Sequence, residues 1–338
     1  MQPFLNLLHS HFKHDEHVLV VTPGPKKTEF LSVIRIYEYE YSLKGRIKYS
    51  LKLIIEMHKA KKIIVHGLFD LKTIMILFFM PWLLKKSCWM LWGADLYTYK
   101  LGKKDLKWKL LEFFRRPVIK NFAYLSTTVP GDYELAKKWY GSKSKFIQNL
   151  MYTSHVARPI PSMDVDSEDK IINIQVGNSA DPSNNHKEVF EYLSKLPSKE
   201  FRVYCPLSYG SPKNKDLVLS QGEQLLKSNF IPMTDFLEFS EYNEYMSSIN
   251  VAVFNHNRQQ AMGNIIGLLS LGKKVVLKHT TTPYAFFKSI GLDVYSLKDV
   301  DIFEPFSESS KKRNIQIMKE NFSLRKLKSD WERVFNAK

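Results

Sequence analysis

Cysteine is almost absent: Cys88 and Cys205 are the only two in 338 residues, each beside apolar neighbours. That excludes a disulfide framework and a cysteine-built zinc site, and it fits a reducing cytoplasm. Long apolar runs are missing too. The longest, residues 74–84, contains Pro81 and is bounded by Lys72, Lys85 and Lys86. A membrane-spanning helix needs roughly 20 apolar residues, so this run is expected to be a buried helix or a segment lying in a membrane interface. Residues 1–10 carry neither a basic region ahead of their apolar stretch nor a small-residue cleavage site, so no secretory signal is read there. Neither G-x-G-x-x-G nor G-x-x-x-x-G-K-[ST] occurs, which argues against a dinucleotide enzyme and a P-loop ATPase. Acidic residues are also short, with 34 Asp and Glu against 50 Lys and Arg, a formal net charge of +16. Such a surplus calls for an anionic partner. Nucleic acid, acidic phospholipid and a diphosphate-bearing substrate all satisfy it, and only position can rank them.

What is present is ample core material: 44% hydrophobic and 25% charged residues, enough for two domains of ordinary size. Short β-branched runs alternate with segments of helical period, the pattern of stacked βαβ units around a parallel sheet. Strands are expected at 18–22, 32–37, 62–66, 88–92 and 122–127, then at 171–176, 201–205, 251–254 and 274–277. Leu43, Ile47, Leu51, Ile54 and Met57 recur at spacings of three and four, which predicts an amphipathic helix with Lys48, Lys52 and Lys59 outside. Residues 149–170 break the rhythm with Pro159, Pro161 and Ser162, then an acidic cluster. The expected organisation is an N-terminal Rossmann-like domain over 1–155, a linker over 156–170, a second Rossmann-like domain over 171–310 and a C-terminal helix over 311–338.

Two strand-to-helix junctions in the second half carry the chemistry. In IINIQVGNSADPSNNHK, residues 171–187, an apolar strand ends in Gly177, Asn178 and Ser179 before a helix expected near Asn184. Free backbone N–H groups and a helix dipole would meet there, and short polar side chains could hold a phosphate or sugar hydroxyl. An ordinary loop with an Asn cap would read alike. In VAVFNHNRQQAMGNIIGLLSL, residues 251–271, a buried strand gives way to His256, Arg258, Gln259 and Gln260, then to Gly263 and Asn264 opening an apolar helix. A guanidinium there could neutralise charge on a departing diphosphate, though a solvated surface loop would carry the same residue types. Pro206 and Tyr209 follow a third strand and suit stacking on a nucleobase. In the first half, His66 and Asp95 stand at strand ends and either could take a proton from an acceptor hydroxyl; a core histidine and a helix cap are the plainer alternatives.

Other signals are discounted. His9, His11, His14 and His17 lie ahead of the first strand with no acidic or cysteine ligand in register, and Asp164-Val165-Asp166 matches a metal-holding DxD pattern but sits in the linker. No metal or other cofactor is required. Residues 100–120 interleave Lys100, Lys103, Lys104, Lys107, Lys109, Arg115, Arg116 and Lys120 with Leu106, Trp108, Leu110, Leu111, Phe113 and Phe114, a composition suited to an anionic membrane surface and also to a solvated helix face. Against nucleic acid, no binding motif is present and the charge is spread over both halves.

Taken in order, HG at His66, WGADLY from Trp92, VGNSADPSNNH from Val176, the strand and loop at Pro206, and NRQQAMGN from Asn257 resemble the bacterial 4-acetamido-4,6-dideoxygalactose transferases of glycosyltransferase family 56. Ala180 and Ala261 stand where the family pattern carries glycine. The resemblance implies a GT-B fold, two Rossmann-like domains facing each other across a cleft. It implies transfer from a dTDP-sugar to an undecaprenyl-diphosphate-linked acceptor, at the cytoplasmic face of the bacterial inner membrane, in assembly of enterobacterial common antigen or O-antigen. Gly177, Asn178, Ser179, Asn184, Arg258, Gln259, Gln260, Gly263 and Asn264 would then bind the donor, and Asp95 with His66 would face the acceptor. A basic membrane-surface or nucleic-acid-binding protein without catalysis, or a sugar-nucleotide epimerase of similar build, remain the alternatives.

Overall fold

The computed structural model describes residues 2–12, 16–20, 35–37, 43–157, 171–196 and 200–338. Two compact units result: residues Met1–Thr153 with Arg325–Lys338, and residues Ser154–Leu324. Most of the expected linker, the Asp164-Val165-Asp166 motif and His14 lie outside the described residues.

The first unit begins with helix α1 (Gln2–His11) and two short strands, β1 (Val18–Val20) and β2 (Arg35–Tyr37), which pair with each other in parallel. The amphipathic helix α2 (Leu43–Lys59) follows, then β3 (Ile63–His66), α3 (Leu71–Phe79), a 3₁₀ turn (Pro81–Lys86) and β4 (Ser87–Met90). Next come α4 (Ala94–Leu101), α5 (Leu106–Asn121), β5 (Tyr124–Thr127), α6 (Pro130–Tyr140) and β6 (Lys145–Gln148). Strands β3 to β6 form one parallel sheet in sequence order. Every residue of β4 and β5 is buried, as strands covered on both faces require. Ile74, Leu77, Trp89, Val118, Ile119 and Leu125 pack within their core. The apolar run at 74–84 is thus split between a helix and a turn, because Pro81 opens the latter. Among the described residues no helix is long and apolar enough to cross a membrane.

The second unit holds β7 (Ile172–Val176), α7 (His186–Leu193), β8 (Phe201–Pro206), α8 (Pro212–Leu226), β9 (Phe230–Met233), α9 (Phe239–Ser248), β10 (Val251–Phe254), α10 (Met262–Ser270), β11 (Lys274–Leu277), α11 (Thr282–Ser289) and α12 (Glu308–Asn321). Its parallel sheet runs β11-β10-β7-β8-β9. The chain steps outward from β7 to β9, then returns to place β10 on the other side of β7. The strand order therefore reverses between β7 and β10, the position at which open α/β sheets leave a crevice for ligands.

Two strands escaped the sequence reading, β6 and β9, and both are sheet edges. There a strand needs only one ladder, so Pro232 in β9 and the polar ends of β6 are tolerated. The expected single C-terminal helix is instead two, α12 and α13 (Leu324–Asn336). Phe322 is buried in the second unit beside Phe286 and Phe287, while Leu327 and Trp331 are buried in the first.

Candidate functional site

Because β10, β7 and β8 are neighbours in the sheet, the loops leaving their C-terminal ends emerge side by side. Gly177 N–H donates to Val253 O at 2.9 Å and Asn257 N–H to Ser183 O at 2.8 Å, tying the loop after β7 to the loop after β10. Ala180 N–H donates to Tyr209 O at 2.7 Å, tying it to the loop after β8. Side chains complete the knot. Asn184 Oδ1 accepts from Asn178 N–H at 2.9 Å and lies 2.9 Å from His256 Nε2. Its amide donates to Ser179 Oγ at 3.2 Å and to Asp181 O at 3.0 Å, so both ends of the carboxamide are used. The Gln260 amide donates to Asn178 Oδ1 at 3.0 Å, and its oxygen accepts from Ser183 Oγ.

Gly177 is dictated by this packing. Its φ is +68°, and a Cβ there would lie 2.7 Å from both Asn184 Oδ1 and His186 Nε2. The missing Cβ makes room for Asn184 of its own loop and for His186 at the start of α7. Helix α7 begins only at His186, after a 3₁₀ turn at Pro182–Asn184 capped by Asp181, because Asn185 adopts the left-handed conformation.

Charge is held at one edge of the knot. Arg258 lies 3.3 Å from Asp181 Oδ2 and donates to Gln259 O at 3.1 Å. Burial works against the Asp181 carboxylate, but the Ser183 hydroxyl and N–H and the Arg258 guanidinium outweigh it and hold the carboxyl below its usual range. Burial, with Arg258 beside it, pushes His256 down to about 3, and burial pushes His186 down to about 4. Both rings are neutral at physiological pH, so His256 can present Nε2–H to Asn184, while positive charge comes from Arg258, from Lys278, whose Nζ donates to Asn257 Oδ1 at 2.9 Å, and from the N-terminus of α10.

Of the remaining expected residues, Tyr209 joins the knot through its hydroxyl, which accepts from the Asn178 amide. Its half-exposed ring lies parallel to Phe236, with centroids 6.2 Å apart. Gln259 is buried, and its Oε1 finds no partner among the described residues. Gly263 and Asn264 sit in the first turn of α10, Gly263 close against Ser154. Pro206 ends β8 paired with Met233 and stands apart from the hydrogen-bond network. Sequence reasoning passed over Asp181 and Phe236. The Ser183 spacing that makes Asp181 a cap was legible, as were three apolar residues, Phe236, Leu237 and Phe239, clustered around the start of α9.

In the first unit, Asp95 does not face an acceptor. It is only 1% exposed, and its carboxylate accepts from Leu68 N–H, the Trp89 indole, Trp92 N–H and Leu96 N–H at 2.7–3.1 Å. Burial pushes its carboxyl up while these donors and Arg115 pull the other way. A carboxylate with four donors and no open side is a clamp on two loops, not a base. His66 Nδ1 lies 2.7 Å from Tyr152 Oη, which also accepts from the Trp92 indole at 2.7 Å. Burial lowers His66 to about 4. Arg115 leaves the expected basic face of 100–120: it is buried, paired with Glu112 and bonded to Asp95 O.

Comparison with known families matches residues 4–303 to glycosyl transferase group 56, the 4-alpha-L-fucosyltransferases. The chain belongs to glycosyltransferase group 56. Among solved structures, this group 56 enzyme is similar to Anabaena Alr3699/HepE in complex with UDP-glucose, at TM-score 0.64 and 10% identity over 89% of this chain and 86% of that one. Sucrose-phosphate synthase from Thermosynechococcus elongatus gives TM-score 0.59 and 10% identity over 93% and 86%. WaaG, a glycosyltransferase involved in lipopolysaccharide biosynthesis, gives 0.52 and 11% over 91% and 83%. The fold of this group 56 transferase is GT-B. Membership as a transferase sets aside the non-catalytic and epimerase alternatives.

Proposed function

We propose that the second unit binds a dTDP-sugar and that the enzyme moves a 4-acetamido-4,6-dideoxygalactose-like residue onto an undecaprenyl-diphosphate-linked oligosaccharide, in enterobacterial common antigen or O-antigen assembly at the cytoplasmic face of the inner membrane. The observation that carries this reading is the convergence of the Gly177–Asn185 and Asn255–Asn264 loops at the reversal of strand order, with Arg258 at their edge. In transfer, the bond from sugar C1 to the diphosphate oxygen breaks and a bond from C1 to the acceptor oxygen forms. Arg258, released from Asp181, and the N-terminus of α10 offset the charge left on the diphosphate. Tyr209 and Phe236 offer faces to the base, and Asn178, Ser179, Asn184 and Gln260 hold the loop that meets the diphosphate. His66, which burial keeps neutral, orients the acceptor hydroxyl, and the proton leaves to water. No metal enters this scheme. The binding of UDP-glucose by Anabaena Alr3699/HepE supports a nucleotide-sugar donor.

Helix α5 supports the membrane part. Leu106, Leu110 and Phe113, spaced i, i+4 and i+7, are 82%, 62% and 64% exposed, and exposed Lys103, Lys107, Lys109, Arg116 and Lys120 surround them. Such a face pairs apolar insertion with attraction to anionic headgroups.

The test is thermal shift over a panel of dTDP, UDP and GDP sugars, then turnover of the Arg258→Ala variant. A dTDP-sugar should raise the melting temperature most, and the variant should lose about 100-fold or more in kcat, the scale of one oxyanion-stabilising group. Stabilisation by none of the panel, or near-normal turnover without Arg258, refutes the scheme.

A further inference from the structure

We infer that Trp92 and Phe69 form a platform for one pyranose ring of the acceptor glycan, with His66 and Tyr152 at its polar edge; this rests on the reading that the first unit takes the acceptor. The two aromatics follow adjacent strands, Phe69 three residues after the end of β3 and Trp92 two after β4. They are 53% and 43% exposed; Trp92 is held through its backbone and its indole, and the loop that carries Phe69 through Leu68. Trp92 N–H donates to Asp95 Oδ1 at 3.0 Å and its indole N–H to Tyr152 Oη at 2.7 Å. Leu68 N–H donates to Asp95 Oδ2 at 3.0 Å, so one buried carboxylate anchors both loops. The rings meet edge to face, centroids 6.0 Å apart.

Gly67 shows that the seat of Phe69 is built for it. Its φ is +72°, and a Cβ there would fall 2.5 Å from Phe69 Cε2. Only glycine lets the ring lie against the backbone at this point. Exposing a large apolar ring forgoes about 2 kcal/mol of burial, and immobilising it adds entropy cost. A rigid, solvent-facing indole at the C-terminal edge of a parallel sheet has the form of a preorganised ligand surface.

The chemistry of that surface selects the ligand. The indole N–H of Trp92 is already used, so what remains is its π face. That face is electron-rich and complements the polarised C–H bonds on one side of a pyranose. His66 and Tyr152 stand beside it to meet hydroxyls. Asp95 acts here only through Trp92 and Leu68, as a positioning residue.

The test measures binding and steady-state kinetics with the full chain and the lipid-free acceptor oligosaccharide. Trp92→Ala should raise acceptor KM about tenfold and abolish saturation-transfer signals from the free glycan, while the nucleotide-induced melting shift stays within error of wild type. Trp92→Phe should fall between. Unchanged acceptor KM in Trp92→Ala overturns the platform. Full rescue by Trp92→Leu overturns it in favour of apolar bulk that only packs the loop, and loss of the nucleotide shift overturns it in favour of base stacking. Glycan binding is read without donor, so failure of the dTDP-sugar reading would leave this measurement standing, and failure here would leave donor binding intact.

Discussion

Substituting Gly177 by alanine isolates the geometry on which the donor-loop argument stands. Two costs add. Holding an L-residue at φ +68° costs about 1–2 kcal/mol. The new Cβ, 2.7 Å from Asn184 Oδ1, also forces that oxygen away from Asn178 N–H and His256 Nε2, loosening two buried hydrogen bonds worth about 1 kcal/mol each. The sum is about 3–4 kcal/mol. Gly291→Ala, in the same unit, supplies the control: its φ is +88°, but the nearest atom to a Cβ is Ile317 Cδ1 at 3.5 Å, so it bears the backbone cost alone. With about 2–4 °C lost per kcal/mol for a unit of this size, Gly177→Ala should melt roughly 10 °C lower and Gly291→Ala roughly 4 °C lower. Thermal unfolding followed by near-UV circular dichroism, with and without dTDP, reads both. Equal shifts for the two variants would refute the claim that the loop is packed as tightly as described.

Three further outcomes are expected. Ala261 caps α10 at φ +56°, so Ala261→Gly should relieve strain and raise the urea midpoint by the equivalent of about 1 kcal/mol; a lower midpoint would contradict this. His256 and His186 are held neutral in the fold down to about 3 and about 4, against 6.5 when free. Unfolded chains take up protons that the folded unit refuses, so stability is complete above pH 6.5 and is lost as pH falls toward 4. His256→Gln should flatten that acid limb in urea titrations at pH 7.5, 6.0 and 5.0, and an identical slope would discount the histidine. Leu110→Asp with Phe113→Asp should abolish co-sedimentation with anionic vesicles while leaving the nucleotide melting shift unchanged; undiminished vesicle binding would remove α5 from the membrane surface.

The sequence made the buried strands plain, since Ile174, Val176, Val251, Val253, Val275 and Val276 need no partner to announce a covered sheet. It could not show which strands adjoin. That β10 returns to lie beside β7 is a property of the whole sheet, and only this adjacency turns Asn178 and Gln260, 82 positions apart, into hydrogen-bonded neighbours. Direction was equally hidden. Asp95 and Arg115 were read as accessible charges because their residue types are usually exposed, whereas the chain buries each among specific partners. Phe236 was overlooked because its place opposite Tyr209 depends on where an edge strand ends. The residues after β7 and β10 were legible as a group because short polar side chains crowd after a strand; their mutual bonding was not.

Helix α13 donates the Trp331 indole to Met151 O at 2.9 Å, offers Asp330 to Leu150 N–H at 3.1 Å, and stacks Trp331 on His66 with centroids 5.8 Å apart. A nascent chain therefore emerges with its first lobe unfinished. The later-made lobe, continuous from Ser154 to Leu324, has all its own parts before the earlier one receives its closing helix, reversing the usual order of maturation along a polypeptide. A translation product ending at Leu324 would carry a complete second unit and a first unit still lacking its last helix, and limited proteolysis of ribosome-bound chains would show protection spreading from the middle of the sequence back to its beginning.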